Sequence, residues 1–141
     1  MITDAQNRPS NAQSVVGTGT IVSTDSIDLL TANRNVGRSF PMRMHAVMAA
    51  GLTGGTSIQA QVITSANGNL STPTVVATGP VVLVAAAVAG AEILDVNIGG
   101  TAQRYLGVQY IIVGTTTVGT VTAHVVAETD NMPYPAMNTG L

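Results

Sequence analysis

The stretch Met42-Arg43-Met44-His45-Ala46-Val47-Met48 decides the fold class, because an apolar residue occupies every second position. Side chains of a β-strand point alternately to the two faces of a sheet, so the three methionines and Ala46 share one face. The other face carries Arg43, His45 and Val47. The pattern predicts a half-buried strand whose methionine face lies in the core.

The same two-residue period recurs through the middle of the chain. Residues 56–64 and 92–98 alternate apolar with polar side chains, and turn-forming sequences follow them, Asn67-Gly68-Asn69 and Gly99-Gly100. Residues 104–113 and 119–127 flank a glycine-bounded segment, 114–118, and are predicted to form a hairpin. Shorter candidate strands are 20–23, 26–30, 74–77 and 81–84.

This count of strands favours an all-β protein, since no segment shows a capped helical stripe. About eight strands in two facing sheets predict an antiparallel β-sandwich of the jelly-roll type, although periodicity does not determine the strand order. Residues 1–14 and 129–141 lack alternation and contain prolines, so we interpret them as extended N- and C-terminal arms around a domain of residues 15–128. A neighbouring subunit is the simplest means of holding such arms in place.

Charged residues make up only 9% of the chain, against roughly a quarter in average soluble proteins. The formal net charge of -2 and the lack of any basic run disfavour a nucleic-acid partner. The longest apolar run, 81–91, is about half of the ~20 residues of a membrane helix, so no membrane partner is expected. The first residues show no signal-peptide pattern. Low charge weakens repulsion between copies and favours a homo-oligomer, a dimer or a trimer.

The few ionisable residues do not form a recognised catalytic or metal-binding pattern. His45 and His124 are the only histidines, and neither has a second ligand at a common metal-site spacing, so we interpret them as surface or interface residues. No Gly-x-Ser-x-Gly nucleophile elbow is present. We expect a non-enzymatic protein without a cofactor or a metal, and we interpret two acidic pairs as solvated carboxylates, Asp25 with Asp28 and Glu128 with Asp130.

Residues 33–42 are the best candidate for binding another protein, because two arginines, a phenylalanine and a proline precede a strand there. Arg34 and Arg38 can form bidentate links to acidic groups on a partner. The alternative is an irregular connection with solvated arginines, since an exposed ion pair contributes only ~0–1 kcal/mol. The candidate contact residues are Arg34, Arg38, Phe40 and Arg43, together with Met132, Tyr134 and Met137 of the C-terminal arm.

Four short motifs carry a family likeness: residues 1–6, Ser26-Ile27-Asp28-Leu29, Val36-Gly37 with Pro41-Met42, and residues 100–106. In their order and spacing, from Met1 to about Ala127, the chain resembles the capsid cement proteins of tailed bacteriophages. The C-terminal arm lies outside this likeness. The apolar segment 84–90 stands where the family often has a more polar loop, and it is either an added contact surface or a tighter turn.

The resemblance implies a capsid cement, or decoration, protein: a single jelly roll, made in the host cytoplasm, on the outer surface of the virion capsid. Such a protein bridges adjacent copies of the major capsid protein, so the implied partners are the major capsid protein and other copies of the chain itself. One alternative is another virion β-sandwich, such as a tail-tip, head-fibre base or host-receptor-binding protein. Another is a small jelly-roll enzyme or metal-binding cupin, which only the two isolated histidines favour.

Overall fold

The computed structural model describes residues 5–35 and 42–127, and every structural statement below concerns these residues. Eight of its ten strands form one antiparallel sheet, while β4 and β9 form a separate pair. The predicted all-β, antiparallel fold is confirmed, and no described helix is long and apolar enough to cross a membrane. After a 3-10 turn at Ala5–Asn7, the strands are β1 Ser10–Ser14, β2 Gly17–Val22, β3 Ile27–Asp28, β4 Arg34–Asn35, β5 Arg43–Gly54, β6 Ser57–Ser65, β7 Thr74–Leu83, β8 Glu92–Asn97, β9 Gly100–Thr101 and β10 Tyr105–Val126.

The long strand β10 folds the sheet into two layers. Its first half, residues 105–113, lies between β6 and β2, and its second half, residues 116–126, lies between β5 and β1. The layers therefore have the strand orders β7-β6-β10-β2 and β8-β5-β10-β1. Because β1–β2 and β5–β6 cross between the layers beside the bend of β10, the chain is an antiparallel ribbon rolled into a jelly roll.

The predicted hairpin of residues 104–113 and 119–127 is wrong, because both belong to the single strand β10. The glycine-bounded segment between them bends the strand into the second layer and does not reverse it. Gly114 has a φ of +76. A Cβ on it would lie 2.9 Å from the Cα of Gly55, which lies between β5 and β6 where the chain bends alongside β10. Glycine and threonine are typical of both bends and reversals, so the local sequence does not distinguish the two.

The core lies between the two layers and is mostly aliphatic. On the predicted methionine face of β5, Met44, Ala46 and Met48 are buried, whereas Met42 is half-buried. The alternating run in β6 places Ile58, Ala60 and Val62 in the same core, which confirms the two-residue period. The facing residues that complete the core include Val108, Tyr110, Ile112, Val121, Ala123, Ile93 and Leu94.

Tyr110 is the largest fully buried side chain and connects the core to the first strand. Its hydroxyl donates a hydrogen bond of 2.8 Å to Ser10 Oγ, which satisfies the one polar atom that the ring carries into the core. Burial raises the pKa of this phenol well above its usual value. Ser10–Ser14, which the sequence analysis assigned to an extended arm, thus forms β1 and pairs with β10.

Candidate functional site

Four segments without a single ionisable residue come together at one end of the sandwich: 15–20, 50–59, 79–91 and 111–121. We name this region the uncharged end. Backbone hydrogen bonds join its segments, since the N–H of Val84 donates to Thr56 O and the N–H of Val15 donates to Gly119 O. The segments are far apart in sequence. They become neighbours because the chain passes between the layers here four times, at β1–β2, at β5–β6, at the β7–β8 connection and at the bend of β10.

Thr116 stabilises the bend of the uncharged end through side-chain hydrogen bonds. It lies opposite both Gly54 and Gly17 in the sheet, and its side chain is almost completely buried. Its Oγ1 lies 2.8 Å from Val15 O and accepts a hydrogen bond of 3.0 Å from the Gly17 N–H. The hydroxyl stabilises the bend because it serves as donor and acceptor for backbone groups that the bend leaves unpaired.

The apolar segment 84–90 is both a tight turn and an exposed surface. The N–H of Ala87 donates to Leu83 O at 3.0 Å, and its own carbonyl accepts from the N–H of Leu52 at 2.8 Å. Ala87 is buried, whereas the next residue, Val88, is exposed. The turn therefore packs against β5 through one small side chain and presents another to solvent.

Exposed aliphatic side chains are concentrated at the uncharged end. Six valine and leucine residues there are between 47% and 60% exposed, although such residues are usually buried. Exposed apolar side chains gathered in one region are typical of surfaces that contact another macromolecule, which makes this end a candidate contact surface. The residues are Val16, Val81, Leu83, Val88, Val113 and Val118, and among the described residues only Leu30 and Val75 are comparable elsewhere.

The rest of the described chain, which we name the charged half, holds ion pairs on its surface. Arg104 donates two hydrogen bonds to the carboxylate of Asp28, at 2.7 Å and 2.6 Å, and its guanidinium lies 5.2 Å from the ring centre of Tyr105. The Arg104 bonds, with a further bond from the Leu30 N–H, lower the pKa of Asp28 to about 2. Asp28, which the sequence pattern predicted to be a solvated carboxylate, is therefore paired with an arginine.

Arg43, a predicted contact residue, points outward from β5 and binds within its own chain. Its Nε donates to Asp95 Oδ1 at 2.6 Å, and its terminal nitrogens donate to Asn97 Oδ1 and to the Asp95 backbone carbonyl. Both β5 and β8 thus contribute to one cross-strand ion pair. A partner that used Arg43 would have to share it with this pair.

The two histidines lie side by side on the outer face of the same layer. His45 and His124 are directly opposite on β5 and β10, and their ring centres are 5.2 Å apart. His45 Nε2 lies 3.0 Å from Glu92 Oε2, whereas both ring nitrogens of His124 are buried without a hydrogen-bond partner. Burial, then the positive charges of His45 and Arg8, lower the pKa of His124. No group of three potential metal ligands occurs among the described residues.

The remaining predicted contact residues are mostly outside the described ranges. The backbone of Arg34 lies in β4, opposite Thr101, but its side chain is not among those described. Arg38 and Phe40 fall in 36–41, which is outside the described residues, as is the acidic pair Glu128 and Asp130. So are the three residues of the C-terminal arm, Met132, Tyr134 and Met137.

Sequence reasoning missed the uncharged end as a surface and the histidines as a pair. Each uncharged segment is unremarkable alone in a chain of low charge, and only the crossing of the ribbon brings the four together. The histidines come from two strands of the second layer, so their meeting depends on the register of β5 against β10. The absence of charge from four separate segments was the one signal that the sequence offered.

Comparison with known proteins places most of this sandwich in one family. The Bbp16 family model matches residues 9–125, from the residue before β1 to the last but one residue of β10. A search among curated proteins finds no match.

Proposed function

Because the chain belongs to the Bbp16 family, which is associated with phages, we propose that it is a capsid cement protein of the virion. It sits on the outer surface of the head and joins adjacent copies of the major capsid protein without catalysing a reaction. The observation that carries this proposal is the extent of the family match, which covers the sandwich nearly from end to end. The likeness of four sequence motifs to capsid cement proteins gives further support.

The structure has the properties that such a role requires. A protein that binds only the assembled shell stabilises it by mass action, and no reactive group is needed. The bent ribbon forms one continuous sheet of eight strands, and exposed threonine and valine side chains such as Thr74, Val81 and Val113 suit many weak contacts. Copies that associate as dimers or trimers bind the lattice at several points at once, so modest contacts combine into tight attachment.

Co-sedimentation with shells tests the proposal directly. Purified protein is mixed with mature phage shells that lack it, the mixture is sedimented at near-physiological salt, and the heat resistance of the shells is measured. We expect the protein to sediment with the shells and to raise the temperature at which they break. Failure to co-sediment would overturn the proposal, and localisation on the tail by electron microscopy of labelled virions would favour a tail-tip or receptor-binding protein.

The C-terminal arm gives a second, separable test. A chain without residues 129–141 is compared with the full chain in the same assay. If the arm extends the interface across a neighbour, we expect weaker binding and lower heat resistance of the shells. Unchanged binding would show that the sandwich alone attaches the protein.

A further inference from the structure

We propose that the uncharged end is the surface that docks on the capsid. The region of the shell that it binds is itself uncharged and rich in aliphatic side chains. This inference rests on the proposed function and specifies which part of the molecule performs it. It concerns the end built by 15–20, 50–59, 79–91 and 111–121.

The chemistry of the partner follows from the lack of charge. A charged group buried against this end would lose its hydration and would find no opposite charge among the four segments. Charges across an interface favour binding when they meet complementary charges, and this end has none to offer. The matching surface is therefore uncharged, and burial of Val81, Leu83 and Val113 supplies the driving force.

The cost of ordering this end on binding is small. Glycine and alanine lose no side-chain freedom, and β-branched valine and threonine have few rotamers to lose. The backbone is already fixed by bonds such as that from the Thr56 N–H to Val113 O and by the Thr116 hydroxyl. A preorganised surface retains more of its contact energy as affinity.

The charged half is a poorer docking surface for the same partner. Its carboxylates at 28 and 95 already bind Arg104 and Arg43 within the chain. Burying these pairs would remove water from the charges, and the attraction between the charges would offset only part of that cost. The charged half is better suited to remain in solvent.

The shape of the uncharged end favours the shell over a second copy of the chain. Bends and one tight turn close the sandwich here, so this end is only as thick as two packed layers, whose backbones lie about 10 Å apart. Two such ends touching tip to tip bury little surface, whereas a stable interface needs on the order of 1,000 Å² or more in total. A seam between capsid subunits can enclose the tip from both sides.

A matched pair of substitutions on β7 tests the assignment. Val81→Asp places a carboxylate at the uncharged end, and Val75→Asp places the same group on the same strand outside it, where the parent side chains are 60% and 45% exposed. Both sites already face solvent, so both variants should fold, and their thermal unfolding confirms this. We expect Val81→Asp to lower the affinity for shells ~10-fold or more, and Val75→Asp to change it less than about twofold.

Salt provides an independent readout with the unaltered protein. An apolar contact should change little between about 0.05 M and about 0.5 M NaCl, because these concentrations screen only charges. Sodium sulfate, which strengthens apolar association, should increase binding. Attachment through arginine-carboxylate contacts would instead weaken steadily with NaCl, and that result would overturn the inference.

The outcomes separate this inference from the proposed function. If the unaltered protein does not bind shells, the proposed function fails. If it binds and both aspartate variants bind equally well, the function stands and the uncharged end is not the docking surface. If Val81→Asp changes the oligomeric state in solution and leaves shell binding intact, this end joins copies of the chain, and the inference is likewise wrong.

Discussion

The uncharged end and the charged half are built from the same strands but differ in what holds them together. At the uncharged end, backbone hydrogen bonds, glycine bends and the buried Thr116 hydroxyl fix the chain. In the charged half, side chains pair across neighbouring strands, as Arg43 does with Asp95. The difference indicates that the first region is rigid without depending on ionic conditions, whereas the second carries all the titratable groups of the described chain.

The largest effect is expected from filling the bend of the uncharged end. Gly114→Ala combines a left-handed φ of +76 with a Cβ placed 2.9 Å from Gly55 Cα, so backbone must move. We expect a loss of about 2–5 kcal/mol in the free energy of unfolding, measured by urea denaturation. Gly90→Ala is the matched control, since its φ is +83 but its Cβ would meet nothing within 4 Å. It should cost about 1–2 kcal/mol, and equal losses would show that crowding at the bend is unimportant.

A smaller loss is expected from removing the Thr116 hydroxyl. Thr116→Val keeps the shape of the side chain but leaves the Gly17 N–H and the Val15 carbonyl without the bonds described above. Unsatisfied buried groups of this kind predict a loss of about 1–3 kcal/mol in the free energy of unfolding. Thr117→Val, one residue along, removes an exposed hydroxyl with a single bond of 3.3 Å and serves as the control. Similar values for the two variants would contradict the role assigned to the Thr116 hydroxyl.

The contrast between the two regions also explains which features could be predicted from the sequence. Period-two alternation reports which residues face the core, so Met44, Ala46 and Met48 were placed correctly without any knowledge of topology. It does not report where a strand's partner lies. The bend at Gly114 was therefore predicted as a hairpin loop, because a reversal and a layer crossing need the same flexible residues.

The candidate surface and the histidine pair were harder to predict for a related reason. Both are made by residues that meet only through the register of distant strands, such as His45 opposite His124. An uncharged stretch of sequence predicts an uncharged surface only if the segments that lie beside it in the structure are also uncharged. Single-residue chemistry, by contrast, pointed to arginines, and Arg43 proves to be engaged within the chain.

A pH effect on stability is expected in the charged half and not at the uncharged end. Burial, His45 and Arg8 hold the pKa of His124 below its usual value of 6.5 in the folded chain. The unfolded chain then binds the proton more readily, so stability is fully present above about pH 6.5 and falls as the pH drops through the folded-state pKa. His124→Gln should flatten this decline when urea unfolding is measured between about pH 7 and pH 5.

His45→Gln is the control that separates the causes of this pH effect. It removes the neighbouring charge but keeps His124 buried, and burial is the larger cause. Most of the decline should therefore persist in His45→Gln. If His124→Gln keeps the full decline, the titrating group lies elsewhere in the chain and this assignment is wrong.

The smallest effect is expected at the exposed pair of Asp28 and Arg104. Their side chains are 37% and 45% exposed, and pairs in solvent contribute little because water and salt screen them. Asp28→Asn should shift the urea midpoint only slightly near pH 7, and the shift should vanish in high salt. Arg104 holds the pKa of Asp28 at about 2, so the stability that the pair contributes is present above the usual pKa of 3.8 and is lost as the pH falls through about 2.

Asp25→Asn, in the adjacent loop and outside the ion pairs of the described residues, is the control. A large shift in Asp28→Asn alone at neutral pH would mean that the charged half depends on its ion pairs for stability, and the contrast with the uncharged end would have to be redrawn.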